Sequence, residues 1–113
     1  MEKFIKGDVV VVPFPFSDLT NSKKRPALVL AKLDGDDVIL CQITGRQLSD
    51  RYSITLEEKD FTAGSLNQTS NIRPNRIFTA DKNIILYRAA RLNSNKTKKV
   101  IEKIIDILHE QPI

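Results

Sequence analysis

Four consecutive valines, at residues 9–12, constrain the fold of this chain more than any other feature. Their β-branched side chains have few accessible rotamers, which favours a strand over a helix. A short apolar run without polar alternation is typical of a strand covered on both faces. We therefore expect residues 9–12 to form a central, or nearly central, strand of a sheet.

A second strand is predicted after a polar loop, at the junction formed by Arg25 and Pro26. The residue before a proline is restricted to extended conformations, and proline suits the first position of a strand because it has no N–H to donate. The guanidinium of Arg25 is a planar fork of donors that matches phosphate oxygens. From these residues alone two interpretations stay open. Lys23, Lys24 and Arg25 belong either to a phosphodiester site or to a solvated turn between two strands.

Further short strands are predicted in the middle of the chain. Asp34 and Gly35 indicate a tight turn between strands over residues 27–33 and 38–44, because such turns require positive φ. Residues 51–56 alternate between apolar and polar side chains, as a half-exposed antiparallel strand does.

The segment that follows is less regular in sequence. We expect residues 57–67 to be irregular and residues 86–92 to be either strand or coil. Pro74 is expected to separate a short extended piece, over residues 69–74, from a strand over residues 76–79.

One amphipathic helix ends the predicted order of elements. Ser94 is the candidate N-cap, and apolar residues at three- and four-residue steps give one buried stripe, formed by Val100, Ile101, Ile104, Ile105 and Leu108. Several short strands before one helix indicate a mainly β, α+β fold, namely a partly closed antiparallel barrel with a covering helix. The length of 113 residues fits a single domain over residues 1–113.

Composition and charge restrict the compartment and the partners. No apolar run approaches the roughly 18 residues that a membrane span needs, and the first residues lack the apolar stretch of a signal peptide. We therefore expect a cytoplasmic protein that does not contact membranes. The net charge of +4 favours a polyanionic partner, either a nucleic acid or an acidic protein segment.

Few side chains offer reactive groups. Cys41 lies in an apolar run and is expected in the core, and His109 is expected at the surface near the end of the helix. The sequence has no Cys/His cluster with zinc spacing, no acidic pair suited to two metal ions and no glycine-rich phosphate loop. We therefore expect no metal and no cofactor, so that any phosphodiester cleavage proceeds without metal.

A guanidinium and hydroxyls remain, and these are sufficient to cleave RNA because the nucleophile is the substrate's own 2′-OH. The protein has to align that hydroxyl and stabilise charge on the five-coordinate phosphate, and Arg25 is the candidate for this role. Thr44, at the end of the third predicted strand, could donate to a phosphate oxygen or to the leaving oxygen. A threonine at a strand end also occurs without any function, because threonine has high β-propensity.

Several short motifs occur in a distinctive order along the chain. They are Gly7-Asp8-Val9-Val10, then Lys24-Arg25-Pro26-Ala27-Leu28-Val29-Leu30, then Ile43-Thr44, then Ser70, and then residues 77–81 before the apolar helix. In this order they resemble the PemK/MazF toxins of bacterial toxin–antitoxin modules, over nearly the whole chain. The resemblance implies a homodimeric, metal-independent endoribonuclease with an SH3-like barrel, which cuts single-stranded RNA at short sequences and is inhibited by a cognate antitoxin.

The resemblance also implies roles for individual residues. By position, Arg25 matches the family's catalytic arginine and Thr44 its catalytic threonine. The residues expected to contact RNA are Phe16, Ser17, Ser22, Lys24, Arg46, Gln47 and Arg76. Two features depart from the common family pattern: residues 18–23 replace a Gly-Ser-Glu-Gln-like run, and Arg76 stands where many members have glutamine.

Two other functions are compatible with the same residues. A toxin with this barrel could act by binding a protein, as the related gyrase poisons do, and a small basic barrel could bind RNA or an acidic peptide without cleaving it. Fold alone does not separate these possibilities. The presence of Arg25 and Thr44 favours the ribonuclease, which is the leading prediction.

Overall fold

The computed structural model describes residues 3–14, 23–47 and 50–110. Within these residues the elements are β1 (Asp8–Phe14), β2 (Lys23–Lys32), β3 (Asp37–Thr44), β4 (Ile54–Leu56), a 3-10 turn (Glu58–Asp60), β5 (Phe61–Gly64), β6 (Ser70–Asp81), a second 3-10 turn (Lys82–Ile84), β7 (Tyr87–Leu92) and α1 (Ser94–Leu108). The mainly β, α+β fold predicted from the sequence is confirmed. In this part of the chain, no helix is long and apolar enough to cross a membrane.

The strands form one antiparallel sheet in the order β4-β6-β3-β2-β1-β7-β5. As the valine run predicts, β1 has a neighbour on each side, and Val9, Val10 and Val12 are at most 1% exposed. The rings of Phe14 on β1 and Phe78 on β6 have centroids 6.1 Å apart, although β2 and β3 lie between those strands. The sheet is therefore curled into the partly closed barrel that the sequence predicts, and we call the side with this ring pair the concave face.

Each side of the sheet has its own apolar core. The concave face is filled by side chains that alternate along β1, β2 and β3, and its buried members are Phe4, Val10, Val12, Ala27, Val29, Val38 and Leu40. The opposite face packs against α1, and its buried members include Val9, Leu28, Cys41, Ile43, Ile72 and Val100. Burial of one such aliphatic side chain stabilises the fold by about 1.5–3 kcal/mol, so both faces hold the strands in their register.

The tight turn between β2 and β3 is present where the sequence predicts it. Gly35 has a φ of +79°, and the N–H of Leu33 donates to the carbonyl of Asp37 at 3.0 Å. Positive φ strains any residue with a Cβ, and this explains the glycine at that position.

The predicted break at Pro74 is only partly correct. β6 is one strand, but its ladder with β3 steps from the pair Cys41–Ile77 to the pair Ile43–Ile72. Four residues of β6, at positions 73–76, therefore face only Gln42 of β3. Proline has no N–H to donate, so a bulge accommodates Pro74 without ending the strand.

Three other boundaries differ from the prediction, and one segment that the sequence left open is resolved. The strand predicted over residues 51–56 begins only at Ile54, and residues 57–67, expected to be irregular, contain a 3-10 turn and β5. The ambiguous residues 86–92 form β7 for most of their length. The N-cap of α1 is Asn93 rather than Ser94, because the Oδ1 atom of Asn93 accepts from the N–H of Lys96 at 2.7 Å.

A buried carboxylate joins the first strand of the sheet to β7. Asp8 has no exposed surface, and its Oδ1 atom accepts from Nε of Arg91 at 2.8 Å. Its Oδ2 atom accepts from the N–H of Ile5 at 2.9 Å and lies 3.5 Å from a guanidinium nitrogen of Arg88. Burial of a charge is costly unless it is paired and hydrogen-bonded, and these contacts offset that cost where β1 pairs with β7.

Candidate active site

Arg25 and Thr44 lie at the same end of two adjacent strands. The ladder between β2 and β3 pairs Ala27 with Gln42 and stops there. If this register continued for two more residues along each strand, it would place Arg25 opposite Thr44. Side chains alternate along a strand, so both residues continue the rows that carry Ala27 and Gln42 on the concave face. The main chain therefore brings the two predicted catalytic residues to the same end and the same face of the sheet.

The backbone of Arg25 is held in β2. β2 begins at Lys23, and Arg25 pairs with Val12 of β1, so the interpretation of residues 23–25 as a solvated turn is wrong. The side chains of Lys23, Lys24 and Arg25 are nevertheless exposed. A restrained main chain thus presents three cationic side chains to solvent.

The hydroxyl of Thr44 has a defined partner. Thr44 is partly buried, and its Oγ1 atom accepts a hydrogen bond from the N–H of Arg46 at 3.2 Å. An N–H group can only donate, so this contact leaves the hydroxyl hydrogen for another acceptor. A phosphate oxygen is one such acceptor.

Asn71 also contributes to this end of the sheet, and sequence reasoning missed it. It pairs with Thr44 on one side and with Thr55 of β4 on the other. Its Nδ2 atom donates to the carbonyl of Arg46 at 2.9 Å, and its Oδ1 atom accepts from the hydroxyl of Thr55 at 3.1 Å. The available signal was weak, namely an asparagine, a poor strand former, within an otherwise strand-like segment.

The charges of the sheet are separated between its two ends. Lys23, Lys24 and Arg25 begin β2, and Arg46 follows the end of β3, so these cations share one end. The turn between β2 and β3 and the paired end of β6 carry Asp34, Asp36, Asp37 and Asp81 at the opposite end, where Lys32 and Lys82 offset only part of this negative charge. A polyanion is therefore attracted to the end that holds Arg25 and Thr44.

The remaining predicted RNA-binding residues are placed as follows. Arg46 and Gln47 are exposed directly after β3. Arg76 is exposed in the bulge of β6. Its neighbour Ile77 pairs with Cys41 of β3, which precedes Thr44 at the end of that strand, so Arg76 lies further from this end than Thr44 does. Phe16, Ser17 and Ser22 lie outside the described residues.

The loop after β3 is also anchored at its far end. A carboxylate oxygen of Asp50 lies 3.8 Å from a guanidinium nitrogen of Arg73. Hydrogen bonds from the main chain of Ser53 and of Tyr52, together with the charge of Arg73, hold the pKa of Asp50 below its usual range. The carboxylate is thus charged at neutral pH and keeps this contact with β6.

Cys41 and His109 are placed as the sequence predicts. Cys41 has no exposed surface, its Sγ atom donates to the carbonyl of Arg73 at 3.0 Å, and burial raises the pKa of the thiol to about 12. A thiol this weakly acidic supplies no thiolate nucleophile near neutral pH. His109 is exposed just after α1. Over residues 3–14, 23–47 and 50–110, no three His, Cys, Asp or Glu side chains are grouped so as to hold a metal ion.

A groove of about 660 Å³ lies away from Arg25 and Thr44. It runs between α1 and β7, on the helix-covered side of the sheet, and its lining includes Arg91, Leu92, Thr97, Ile101 and Ile105. The groove is mainly apolar, although Arg91 and Thr97 belong to its lining, and it contains none of the candidate residues at the end of β2 and β3.

Comparison with known proteins gives matches at the level of family and fold. The model of the family described as the PemK-like, MazF-like toxin of type II toxin–antitoxin systems matches residues 5–108. No curated protein matches the sequence.

Solved structures with similar folds come from bacteria. An endoribonuclease from a Mycobacterial species has a TM-score of 0.73 at 15% identity, with 99% of this chain and 98% of that chain covered. MazF from Deinococcus radiodurans has a TM-score of 0.75 at 19% identity, with 97% and 100% covered. The Mycobacterium tuberculosis toxin MazF-mt6 has a TM-score of 0.70 at 16% identity, with 93% and 99% covered. At such low identities these likenesses establish the fold, while the family match extends over nearly the whole sequence, so the chain belongs to the PemK-like, MazF-like toxins of type II toxin–antitoxin systems.

Proposed function

We propose that this protein is an endoribonuclease toxin that cleaves single-stranded RNA without a metal ion. The observation that carries the proposal is the alignment of Arg25 with Thr44 at the basic end of the sheet, in a chain of this toxin family. Two of the similar solved structures are described as endoribonucleases, one of them in complex with its cognate antitoxin.

The proposed reaction uses the RNA's own 2′-OH as nucleophile. The 2′ oxygen bonds to the adjacent phosphorus and loses its proton, and the bond from phosphorus to the 5′ oxygen breaks as that oxygen takes up a proton. The products are a 2′,3′-cyclic phosphate, or the 3′-phosphate formed from it by water, and a 5′-hydroxyl. No redox partner or cofactor is required for this exchange of bonds.

Arg25 and Thr44 have different roles in this proposal. The guanidinium of Arg25 donates to the non-bridging oxygens, and these contacts strengthen as negative charge accumulates on the five-coordinate phosphate. The hydroxyl hydrogen of Thr44, which its contact with Arg46 does not use, is donated to a phosphate oxygen or to the leaving 5′ oxygen. The main chain that carries each group is held in a strand of the sheet.

The surrounding polar residues bind the RNA strand in this proposal. Lys24, Arg46 and Arg76 are exposed cations that attract the backbone, and the amide of Gln47 can read a base edge. Phe16, Ser17 and Ser22, which precede β2 in the sequence, remain predicted contacts. Binding that depends on such cations weakens as the salt concentration rises.

The experiment that tests the proposal is cleavage of a mixed-sequence RNA by the purified chain in EDTA, followed by mapping of the cut ends. An oligonucleotide with the mapped site is then made with hydrogen in place of the 2′-OH at the cut position. We expect cleavage in EDTA and none of the modified oligonucleotide. Loss of activity in EDTA, or undiminished cutting of the modified substrate, would overturn the mechanism. RNA that is bound but never cut would favour a non-catalytic RNA-binding barrel.

The proposal includes two protein partners. One is a cognate antitoxin with an acidic segment, which the basic end of the sheet would attract. Co-purification of the toxin with the product of an adjacent small acidic reading frame tests this.

The other partner is a second copy of the chain, such that residues 1–113 form one domain of a cytoplasmic homodimer. Sedimentation should give about twice the 12.8 kDa chain mass, and a fully active monomer at micromolar concentration would contradict the dimer.

A further inference from the structure

Thr44, Asn71 and Thr55 form a row across three adjacent strands. Thr44 on β3 pairs with Asn71 on β6, which also pairs with Thr55 on β4. Residues directly opposite each other in antiparallel strands project their side chains to the same face. Asn71 is only 7% exposed, so its amide is a buried polar group that requires hydrogen-bond partners.

The contacts of Asn71 fix the orientation of its amide. The carbonyl of Arg46 lies 2.9 Å from one end of the amide, and a carbonyl can only accept, so this end is the Nδ2 donor. The other end is then Oδ1, which accepts the hydroxyl of Thr55 at 3.1 Å. The peptide of Arg46 is thus tied to β6, a strand 25 residues further along the chain.

The same residue, Arg46, contacts Thr44 through its other main-chain group. Its N–H donates to the Oγ1 atom of Thr44 at 3.2 Å, while its carbonyl accepts from Asn71. The heavy atoms of a threonine side chain rotate about χ1 only, so an N–H in a fixed position selects the rotamer that places Oγ1, while the hydroxyl hydrogen still turns towards its acceptor. Asn71 therefore helps to fix the position of the Thr44 Oγ1 atom through the peptide of Arg46.

We propose that Asn71 is a positioning residue for RNA cleavage, acting through the main chain of Arg46 on the hydroxyl of Thr44. The inference rests on the proposed ribonuclease function and adds a residue that the sequence did not identify. Without the amide of Asn71, the first turn of the loop after β3 is released and the Thr44 hydroxyl samples other rotamers. The cost falls on the chemical step, because Asn71 holds a reacting group in place and does not hold the RNA.

The test is a double-substitution cycle on the full chain. Asn71→Ala is compared with Asn75→Ala, a matched substitution at an exposed position of the same strand. Each is made alone and with Thr44→Val, and single-turnover rates are measured on an oligonucleotide that contains a mapped cut site. Affinity is measured separately with the 2′-deoxy form of that oligonucleotide, and thermal melts show that each variant is folded.

We expect Asn71→Ala to lower the single-turnover rate on the order of 10- to 100-fold, because small misplacements of a reacting group cost this much. Asn75→Ala should leave the rate unchanged, and Asn71→Ala should weaken binding of the 2′-deoxy oligonucleotide far less than it lowers the rate. In the Thr44→Val background, Asn71→Ala should cost less than about twofold, since coupled residues give non-additive effects.

Two outcomes would overturn the assignment of Asn71. One is an equal loss of rate in both backgrounds, which would mean that Asn71 acts independently of Thr44. The other is an unchanged rate for the folded Asn71→Ala variant. If the wild-type chain does not cleave RNA, the proposed ribonuclease function itself is wrong. If the wild type is active but the effects of Asn71→Ala and Thr44→Val are additive, only the role of Asn71 is wrong.

Discussion

Arg25 on β2 and Thr44 on β3 are aligned by a ladder that ends before it reaches them, at the pair formed by Ala27 and Gln42. Beyond that pair the two strands share no further ladder contacts, so the main chain is open between Arg25 and Thr44. The two strands remain attached to their outer neighbours, because Arg25 pairs with Val12 of β1 and Thr44 with β6. The opening between Arg25 and Thr44 is therefore held from both sides.

The first prediction concerns the guanidinium of Arg25. Arg25→Lys keeps the charge but loses the planar fork, so we expect it to be nearly as damaging as Arg25→Ala, with losses on the order of 10²-fold or more in single-turnover rate. Arg25 is exposed, so the free energy of unfolding should change by less than about 0.5 kcal/mol. Lys32→Ala is the matched control, because it removes a cation at the opposite end of the same strand. If the folded Arg25→Ala variant cleaves at nearly the wild-type rate, Arg25 is not catalytic.

The second prediction concerns the hydroxyl of Thr44. Thr44→Val keeps the shape and the strand propensity but removes the donor, and loss of one oriented donor typically costs on the order of 10²-fold in rate. Thr44→Ser retains the hydroxyl and should recover most of that loss. A valine variant that cleaves as fast as the serine variant would show that the hydroxyl takes no part in the reaction. The measurement is the single-turnover rate with saturating enzyme.

Local sequence patterns predicted the type of most elements but not where each one ends. The valine run and the Arg25-Pro26 junction identified β1 and β2, because β-branching and proline act on the residue's own backbone. The start of β2 at Lys23 depends instead on its pairing with Phe14 of β1, which no local pattern encodes. Likewise, Pro74 looked like a strand break, whereas a bulge opposite Gln42 tolerates it.

The residues of the candidate site were likewise only partly predictable from the sequence. Arg25 and Thr44 could be identified from the motifs around them and from their chemistry. Asn71 could not, because its importance comes from hydrogen bonds to Arg46 and Thr55, residues distant in sequence that only the strand order brings together. A buried asparagine is recognised by its partners, and these belong to the tertiary structure.

A third prediction tests the corrected start of α1. Asn93→Ala removes the side-chain acceptor for the N–H of Lys96 and should lower the free energy of unfolding by about 1 kcal/mol, within a range of roughly 0.5–2. Ser94→Ala is the control and should change it little, because Ser94 is already inside the helix and exposed. Chemical denaturation of the two variants measures both values. If Ser94→Ala lowered the free energy of unfolding more than Asn93→Ala does, Ser94 would be the N-cap, as the sequence indicated.

The final prediction concerns the buried thiol of Cys41. Burial raises its pKa to about 12, whereas an exposed cysteine titrates near 8.5. The unfolded chain therefore releases this proton more readily than the native protein does. The contribution of the neutral thiol to stability is complete below about pH 8.5 and is lost as the pH rises towards 12.

Two measurements check this expectation for Cys41. Between pH 9 and pH 10.5, the free energy of unfolding of the wild type should fall more steeply than that of Cys41→Ala, with an extra slope approaching about 1.4 kcal/mol per pH unit. The comparison of slopes removes the constant cost of the cavity that alanine leaves. At pH 8 a thiol reagent should label Cys41 only after denaturant unfolds the chain, because the native side chain has no exposed surface. Rapid labelling of the native protein, or equal slopes for the two proteins, would show that the thiol ionises in the folded state as it does in water.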